Sequence, residues 1–216
     1  MKQFLIIGLG RFGRAVAEEL ADNGGQVIAV DTDMTLVDAL RDRVAVAAQV
    51  DAVEPDVLKS LGADEVDAAV VAIGDDFAAQ ILAVAVLKEM DIETIVARAS
   101  GDRERRILEL AGATRIVTVE VETGQRVARS LLGRDVLDHF ALGEGVSLVY
   151  WTADDRVVGK SLAECRLRED WNINLVAVRG AGQESLNVLP TPDHVFQAGD
   201  VLLLVGADAR LSAFTK

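Results

Sequence analysis

Hydrophobic residues in the first two-thirds of the chain form short runs that alternate with longer segments of helical spacing. Several runs are continuously apolar, which is typical of parallel strands covered by helices on both faces. The predicted strands are residues 3–7, 26–30, 44–49, 68–72, 94–97 and 115–118. The predicted helices are residues 11–23, 35–42, 55–61, 77–90, 102–111 and 123–132. This alternation predicts an α/β fold with a Rossmann-like, doubly wound parallel sheet.

The pattern changes after about Gly133, where strand-like runs become more frequent. The predicted strands of this part are residues 146–151, 175–179, 184–187 and 201–205. Ser161 and Glu164 have the spacing of a capping box and predict one short helix. We therefore expect two domains, residues 1–133 and a small α+β domain at 134–216, with the linker at residues 133–143.

Charge and composition exclude several classes of protein. The chain has 22 Lys and Arg against 35 Asp and Glu, a net charge of -13, so its surface repels nucleic-acid backbones. The longest apolar segment, residues 77–87, is interrupted by Gln80 and is too short to cross a bilayer. The N-terminal residues lead directly into a glycine-rich turn, without the pattern of a signal peptide. Cys165 is the only cysteine, which excludes an intrachain disulfide. We expect a cytoplasmic protein.

A G-x-G-x-x-G sequence follows the first predicted strand and opens the first predicted helix. Its glycines are Gly8, Gly10 and Gly13, and Asp31 ends the next strand. In this pattern the glycines allow a tight turn and close approach of phosphates to the helix N-terminus, and the acid accepts hydrogen bonds from the ribose. The arrangement predicts nucleotide binding. Two alternatives stay open, a turn needed only for packing and Asp31 as the N-cap of the next helix.

The fingerprint does not identify the nucleotide, since NAD, FAD and ATP all occupy such a crevice. No catalytic constellation accompanies it: His139 and His194 stand apart from any acid–base pair, and the chain has no G-x-S-x-G, H-E-x-x-H or Walker A sequence. We expect a binding protein that is not an enzyme. A small NAD-dependent oxidoreductase is the alternative. An NADH-responsive sensor acting on DNA is a third hypothesis, disfavoured because it requires a basic helix-turn-helix, which the acidic chain lacks.

Ordered segments along the whole chain carry a family resemblance. They are residues 4–13, 30–31, 71–74, 81–91, 110–117, 120, 124, 159–162, 174–178 and 198–202. Together they resemble the regulatory subunits of Trk- and Ktr-type potassium-uptake systems, which are built from an RCK (regulator of potassium conductance) module. The first 133 residues then resemble the nucleotide-binding RCK N-terminal domain, and the remainder the RCK C-terminal (TrkA-C-like) domain.

The resemblance implies a cytoplasmic gating subunit, peripheral on the inner face of the cell membrane. It implies that dimers assemble into an octameric ring on a potassium-translocating membrane subunit of the TrkH or KtrB type. ATP or ADP, with NAD(H) as the alternative, is expected in each N-terminal domain, where it changes the shape of the ring and so gates transport.

The resemblance also implies roles for individual residues. Nucleotide contacts are expected from Gly8, Gly10, Arg11, Phe12, Gly13, Asp31, Asp51, Ala52, Ile73, Gly74 and Arg98. Glu120 matches an acidic residue that holds a divalent cation such as Mg²⁺ near the phosphates in some relatives. Arg11 matches an arginine that reaches phosphates across a dimer interface. Bland alternatives stay open: an exposed surface arginine for Arg11, a solvated turn for Asp51 and a core position for Ile73. For Glu120 the alternative is a partner of the helix dipole.

The C-terminal domain of some relatives binds cyclic di-AMP. Arg168, Asn174 and the Pro190 region fall near where that site would be, although Trp171, Asn172 and the turn at residues 179–183 give no clear signature of it. A plain dimer interface is the alternative.

Overall fold

The computed structural model describes residues 1–216. The chain forms two compact units, Met1–Val121 and Glu122–Lys216. The predicted domain boundary at 133/134 lies further along the chain and stays a prediction. None of the helices is long and apolar enough to cross a membrane.

The first unit is a six-stranded parallel sheet with helices between the strands. The strands are β1 (Gln3–Ile7), β2 (Gln26–Asp31), β3 (Val46–Gln49), β4 (Ala68–Val71), β5 (Ile95–Arg98) and β6 (Arg115–Val117). The helices are α1 (Arg11–Asp22), α2 (Met34–Asp38), α3 (Pro55–Ser60), α4 (Phe77–Glu89) and α5 (Asp102–Ala111). The sheet order is β3-β2-β1-β4-β5-β6 and all its pairs are parallel, which confirms the Rossmann-like prediction.

Strand β1 lies in the middle of the sheet, which explains why its residues are apolar at consecutive positions. Leu5 and Ile7 pack into one hydrophobic cluster and Ile6 packs into another. Because successive side chains of a strand point to opposite faces, both faces of the sheet are covered. Strand β1 is therefore packed on both faces up to Ile7, directly before the glycine loop.

The second unit contains a four-stranded antiparallel sheet. Its elements are α6 (Val119–Leu132, whose first residues belong to the first unit), β7 (Val136–Gly143), β8 (Val146–Thr152), α7 (Leu162–Cys165), α8 (Leu167–Trp171), β9 (Ile173–Arg179), β10 (Val201–Ala207) and α9 (Asp208–Phe214). The sheet order is β7-β8-β10-β9. The capping box is present, with the Ser161 side chain accepting from the Glu164 amide and Glu164 accepting from the Ser161 amide. The predicted short helix is confirmed.

Four sequence predictions about elements are wrong. The helix predicted at residues 35–42 is α2, which ends at Asp38 and is followed by turns. The linker expected at residues 133–143 is largely β7, which pairs with β8 through a turn at Glu144 and Gly145; its polar Asp138 and His139 hid the strand pattern. The strand expected at residues 184–187 is absent, because this segment is exposed and only Asn187 forms an isolated bridge, with Val178. Helix α6 begins at Val119, four residues before the predicted start.

Candidate nucleotide site

The predicted site residues lie at the carboxyl edge of the parallel sheet. Asp51 follows β3, Asp31 ends β2, Gly8 follows β1, Ile73 and Gly74 follow β4, Arg98 ends β5 and Glu120 follows β6. Their order along the edge is the sheet order. The strand order reverses between β1 and β4, and ligands of open α/β sheets bind at that point.

Two glycines of the loop after β1 are required by the chain itself. Gly8 has φ +89°, and a Cβ there would lie 2.8 Å from the backbone nitrogen of Ile73. A Cβ on Gly13 would lie 1.9 Å from the carbonyl oxygen of Gly8. The first keeps the turn tight against β4 and the second keeps α1 against the turn, so the fold accounts for both glycines.

Gly10 has no such explanation within the fold. Its φ of -60° is available to any residue, and a Cβ built on it would meet no atom within 4 Å. Gly10 is the N-cap of α1 and supplies no capping side chain, and the first turn of the helix carries no acidic residue. The unsatisfied amide groups at a helix N-terminus attract anions, so this cradle fits a phosphate.

The two residues that follow Gly10 have different surroundings. Arg11 is exposed and takes part in none of the ion pairs of the chain. Phe12 is half-buried and packs on the hydrophobic cluster that contains Ile6 and Leu9. Arg11 is therefore available to an anion, whereas the ring of Phe12 anchors α1.

Asp31 is bound to the phosphate loop. Its Oδ2 accepts a hydrogen bond from the Leu9 amide at 2.6 Å, and its Oδ1 accepts one from the Asp33 amide at 2.8 Å. The N-cap of α2 is Asp33, which accepts from the Thr35 amide, so the alternative that Asp31 caps this helix is wrong. Each oxygen of an ionised carboxylate has two acceptor positions, so Asp31 can still accept from ribose hydroxyls.

The segments beside Asp31 and Gly8 contain both exposed residues and residues of the core. Asp51 is exposed and accepts from the Val53 amide at 3.2 Å, while Ala52 is buried. Ile73 is half-buried and packs against the same core cluster as Ala52. Two of the predicted contact residues thus also hold the core, and Asp51 lies at a solvated turn.

Arg98 and Glu120 are brought together at the far end of the edge. Arg98 Nη2 lies 2.5 Å from Glu120 Oε1, and a Cβ on Gly74 would lie 2.9 Å from Arg98 Nη1. The pKa of Glu120 is lowered first by a hydrogen bond from its own backbone amide and then by the charge and hydrogen bond of Arg98. Three predicted site residues from three strand ends therefore form one cluster.

Gln80 belongs to this cluster although the sequence predicted no role for it. It is 3% exposed on α4 and donates from Nε2 to the carbonyl oxygen of Arg98 at 2.6 Å. Buried amides need such partners. The available signal was a single polar residue within the apolar part of α4, residues 77–87.

A metal site is not formed by protein ligands alone. No group of three or more His, Cys, Asp or Glu side chains is arranged to hold an ion, and Glu120 is paired with Arg98. The divalent cation predicted at Glu120 would need further ligands, such as phosphate oxygens.

The residues predicted near a cyclic di-AMP site lie on the second unit. Arg168 and Asn174 are exposed on α8 and β9, and Pro190 is half-buried. That ligand stays a prediction.

Family models match both units of the chain. Residues 4–119 match the TrkA-N domain and residues 147–216 match the TrkA-C domain. The chain is 34% identical over 215 residues to Ktr system potassium uptake protein C of Bacillus subtilis, covering 100% of this chain and 96% of that protein. It is 32% identical over 211 residues to Ktr system potassium uptake protein A of Vibrio alginolyticus, covering 98% and 95%.

Solved structures share the fold. The TrkA-N domain of the inner membrane protein ybaL from Escherichia coli matches with a TM-score of 0.52 and 25% identity, covering 61% of this chain and 93% of that domain. The GsuK channel bound to NAD matches with a TM-score of 0.53 and 24% identity, covering 99% of this chain, which spans 38% of that channel chain. The chain therefore belongs to the family of Ktr and Trk potassium-uptake proteins that join a TrkA-N domain to a TrkA-C domain.

Proposed function

We propose that this protein is a nucleotide-sensing regulatory subunit that gates potassium transport through a separate membrane subunit. The observation that carries the proposal is Gly10, a glycine that the fold does not require, in the centre of a phosphate loop at the strand-order reversal. Full-length similarity to Ktr proteins supports the potassium-transport part.

The nucleotide is ATP or ADP, with NAD(H) as the alternative. Its phosphates bind the amides of the loop from Gly8 to Gly13 and the N-terminus of α1. Its ribose donates hydrogen bonds to Asp31, and its base lies beside Asp51, Ala52 and Ile73. The positions of these residues along one sheet edge support this reading.

Gating follows from a difference in nucleotide affinity between two conformations of an assembly. A ligand shifts an equilibrium only as far as its affinities for the two states differ, and a ring multiplies a small difference. We propose a homodimer-based octameric ring, cytoplasmic and peripheral on the membrane through a TrkH- or KtrB-like partner. Helix α6 supports assembly, because none of its residues is buried and Leu131 and Leu132 are exposed.

The residues at the edge of the sheet favour a regulatory protein over an enzyme. The crevice edge offers carboxylates, glycines and the Arg98–Glu120 ion pair. Both histidines of the chain, the commonest acid–base residues, lie on the second unit at positions 139 and 194. We therefore propose that the protein is not an oxidoreductase. A divalent cation at Glu120 and cyclic di-AMP on the second unit are finer proposals that rest on the family resemblance.

Potassium uptake by cells is the functional test. The protein is expressed with its cognate membrane subunit in cells that lack other potassium-uptake systems, and growth is measured at low potassium. Gly10→Val, which blocks the phosphate cradle, is expected to abolish regulated uptake. Gly143→Val is the matched control, since a Cβ at that position also meets no atom within 4 Å. Uptake that is the same with Gly10→Val as with the wild type would contradict the proposal.

A further inference from the structure

We propose that a phosphate of the bound nucleotide competes with Glu120 for Arg98, so that the site discriminates nucleotides by their phosphates. The inference rests on the proposed nucleotide site and adds a mechanism of selection to it. Arg98 would then be the residue that determines specificity, and Glu120 the group that it exchanges for the phosphate.

A chain of contacts connects the phosphate loop to this ion pair. Gly8 lies against the backbone of Ile73, and the guanidinium of Arg98 lies against Gly74, the next residue. Glu120 then pairs with the same guanidinium. The guanidinium of Arg98, one residue along the chain from the Gly8–Ile73 contact, is thus held by an acidic side chain.

The backbone of Arg98 is fixed while its side-chain end can exchange partners. Gln80 holds the Arg98 carbonyl oxygen from within the core. The side chains of Arg98 and Glu120 are 26% and 61% exposed, and ion pairs of this exposure contribute little. Arginine binds phosphate through two parallel hydrogen bonds, which is a stronger arrangement, so exchange from Glu120 to a phosphate is favourable.

The sheet order determines which part of a ligand reaches Arg98. Asp31 ends β2 and Arg98 ends β5, three strands further along the sheet. At about 4.8 Å per strand, the separation is on the order of 14 Å. A ligand whose ribose binds Asp31 must therefore extend its phosphates across the loop to meet Arg98. Adenosine, which has no phosphate, does not compete with Glu120.

Calorimetric titrations of adenosine, ADP and ATP test the exchange. They are made with EDTA present, so that no divalent cation contributes, on the wild type, Glu120→Gln, Arg98→Gln and the double variant. We expect Glu120→Gln to tighten ATP binding about two- to fivefold, the strength of a part-exposed ion pair. Arg98→Gln should weaken ATP binding roughly tenfold or more, and adenosine binding should be unchanged in both.

The double variant separates exchange from simple repulsion. If Glu120 acts by holding Arg98, removing Glu120 in the Arg98→Gln background gives little or no gain in ATP affinity. An equal gain in both backgrounds would mean that Glu120 only repels the phosphates and would overturn the inference. An ATP affinity of Glu120→Gln equal to that of the wild type, in a variant with a native circular dichroism spectrum, would also overturn it.

The wild-type titrations distinguish this failure from that of the proposed function. A wild type that binds none of the nucleotides overturns the nucleotide site itself. A wild type that binds ATP, with variants that bind it equally well, overturns only the exchange.

Discussion

At the scale of the residue, Asp31 links the shape of the loop to the chemistry of the ligand. Its carboxylate accepts hydrogen bonds from the amides of Leu9 and Asp33 at the carboxyl end of β2. One side chain therefore stabilises the glycine turn, and in the proposed complex it also accepts hydrogen bonds from the ribose. Loss of the carboxylate should affect binding through both contributions.

Asp31→Ala is expected to weaken ATP binding by roughly 1–3 kcal/mol, from lost charge-assisted hydrogen bonds. Asp33→Ala is the control, because Asp33 is a nearby exposed carboxylate that accepts from the Thr35 amide at the N-terminus of α2. It should leave the affinity unchanged, as measured by calorimetry. Equal affinities of Asp31→Ala and the wild type would refute the ribose assignment.

The sequence predicted the glycine loop, Asp31 and the strand-end positions because these features are local and follow strand–helix alternation. It could not predict the Arg98–Glu120 pair, since the two residues are 22 positions apart and meet only after β5 pairs with β6. The partner of Gln80 was hidden for the same reason, because helix α4 has to pack before its amide meets the Arg98 carbonyl.

At the scale of the element, the N-terminus of helix α4 is stabilised by one capping side chain. Asp76 is the N-cap of α4 and accepts from the Ala79 amide at 2.9 Å. Asp76→Ala is expected to lower the free energy of unfolding by about 1 kcal/mol, measured by urea denaturation and circular dichroism. Asp75→Ala removes an adjacent exposed carboxylate that is not the cap, and it should cost less. Equal losses would contradict the capping assignment.

The second unit has an ion pair that makes its stability depend on pH. Burial alone would raise the pKa of Asp154, but hydrogen bonds and charge from Arg156 outweigh it, and the pKa lies below its ordinary value of 3.8. Arg156 also donates to the carbonyl oxygen of Phe214, the last residue of α9, and lies over the rings of Trp151 and Phe214. The pair therefore connects the end of β8 to the end of α9.

Because the pKa of Asp154 is depressed in the folded state, its stabilisation is full above about 3.8 and is lost as the pH falls through the lower folded value. Asp154→Asn is expected to lower the free energy of unfolding by roughly 1 kcal/mol at pH 7 and by less at pH 3. Both tryptophans, Trp151 and Trp171, lie in this unit, so their fluorescence during urea unfolding reports it. Asp155→Asn is the control, and a loss of the same size at both pH values would contradict the account.

The elements that sequence analysis missed are those whose stability comes from pairing. The residues of β7 are half-buried or exposed, and the strand is stabilised by pairing with β8 in a hairpin. Its sequence therefore has only a weak hydrophobic pattern. Residues 184–187 have a strand-like sequence but form no strand, because they pair with a neighbour only through the bridge of Asn187 to Val178. Elements with a clear apolar pattern, such as β1 and α4, were predicted within one residue of their ends.

At the scale of the whole molecule, the exposed apolar side chains of α6 and the family resemblance lead to one expectation, assembly. Light scattering should give a mass several times the 23.1 kDa of the chain. Leu131→Glu combined with Leu132→Glu adds charge to an exposed apolar surface and should reduce that mass. Val57→Glu, on α3, should not. A wild-type mass equal to that of the monomer would contradict the ring.

Titration of ATP into the wild type and Gly10→Val tests the central claim most directly. The fold leaves open space at Gly10, so the variant should keep the wild-type circular dichroism spectrum and unfolding midpoint. We predict that the wild type binds ATP and that folded Gly10→Val does not, because valine occupies the phosphate cradle. Equal ATP affinities for the two proteins, or no nucleotide binding by the wild type, would contradict a nucleotide-sensing role for this crevice.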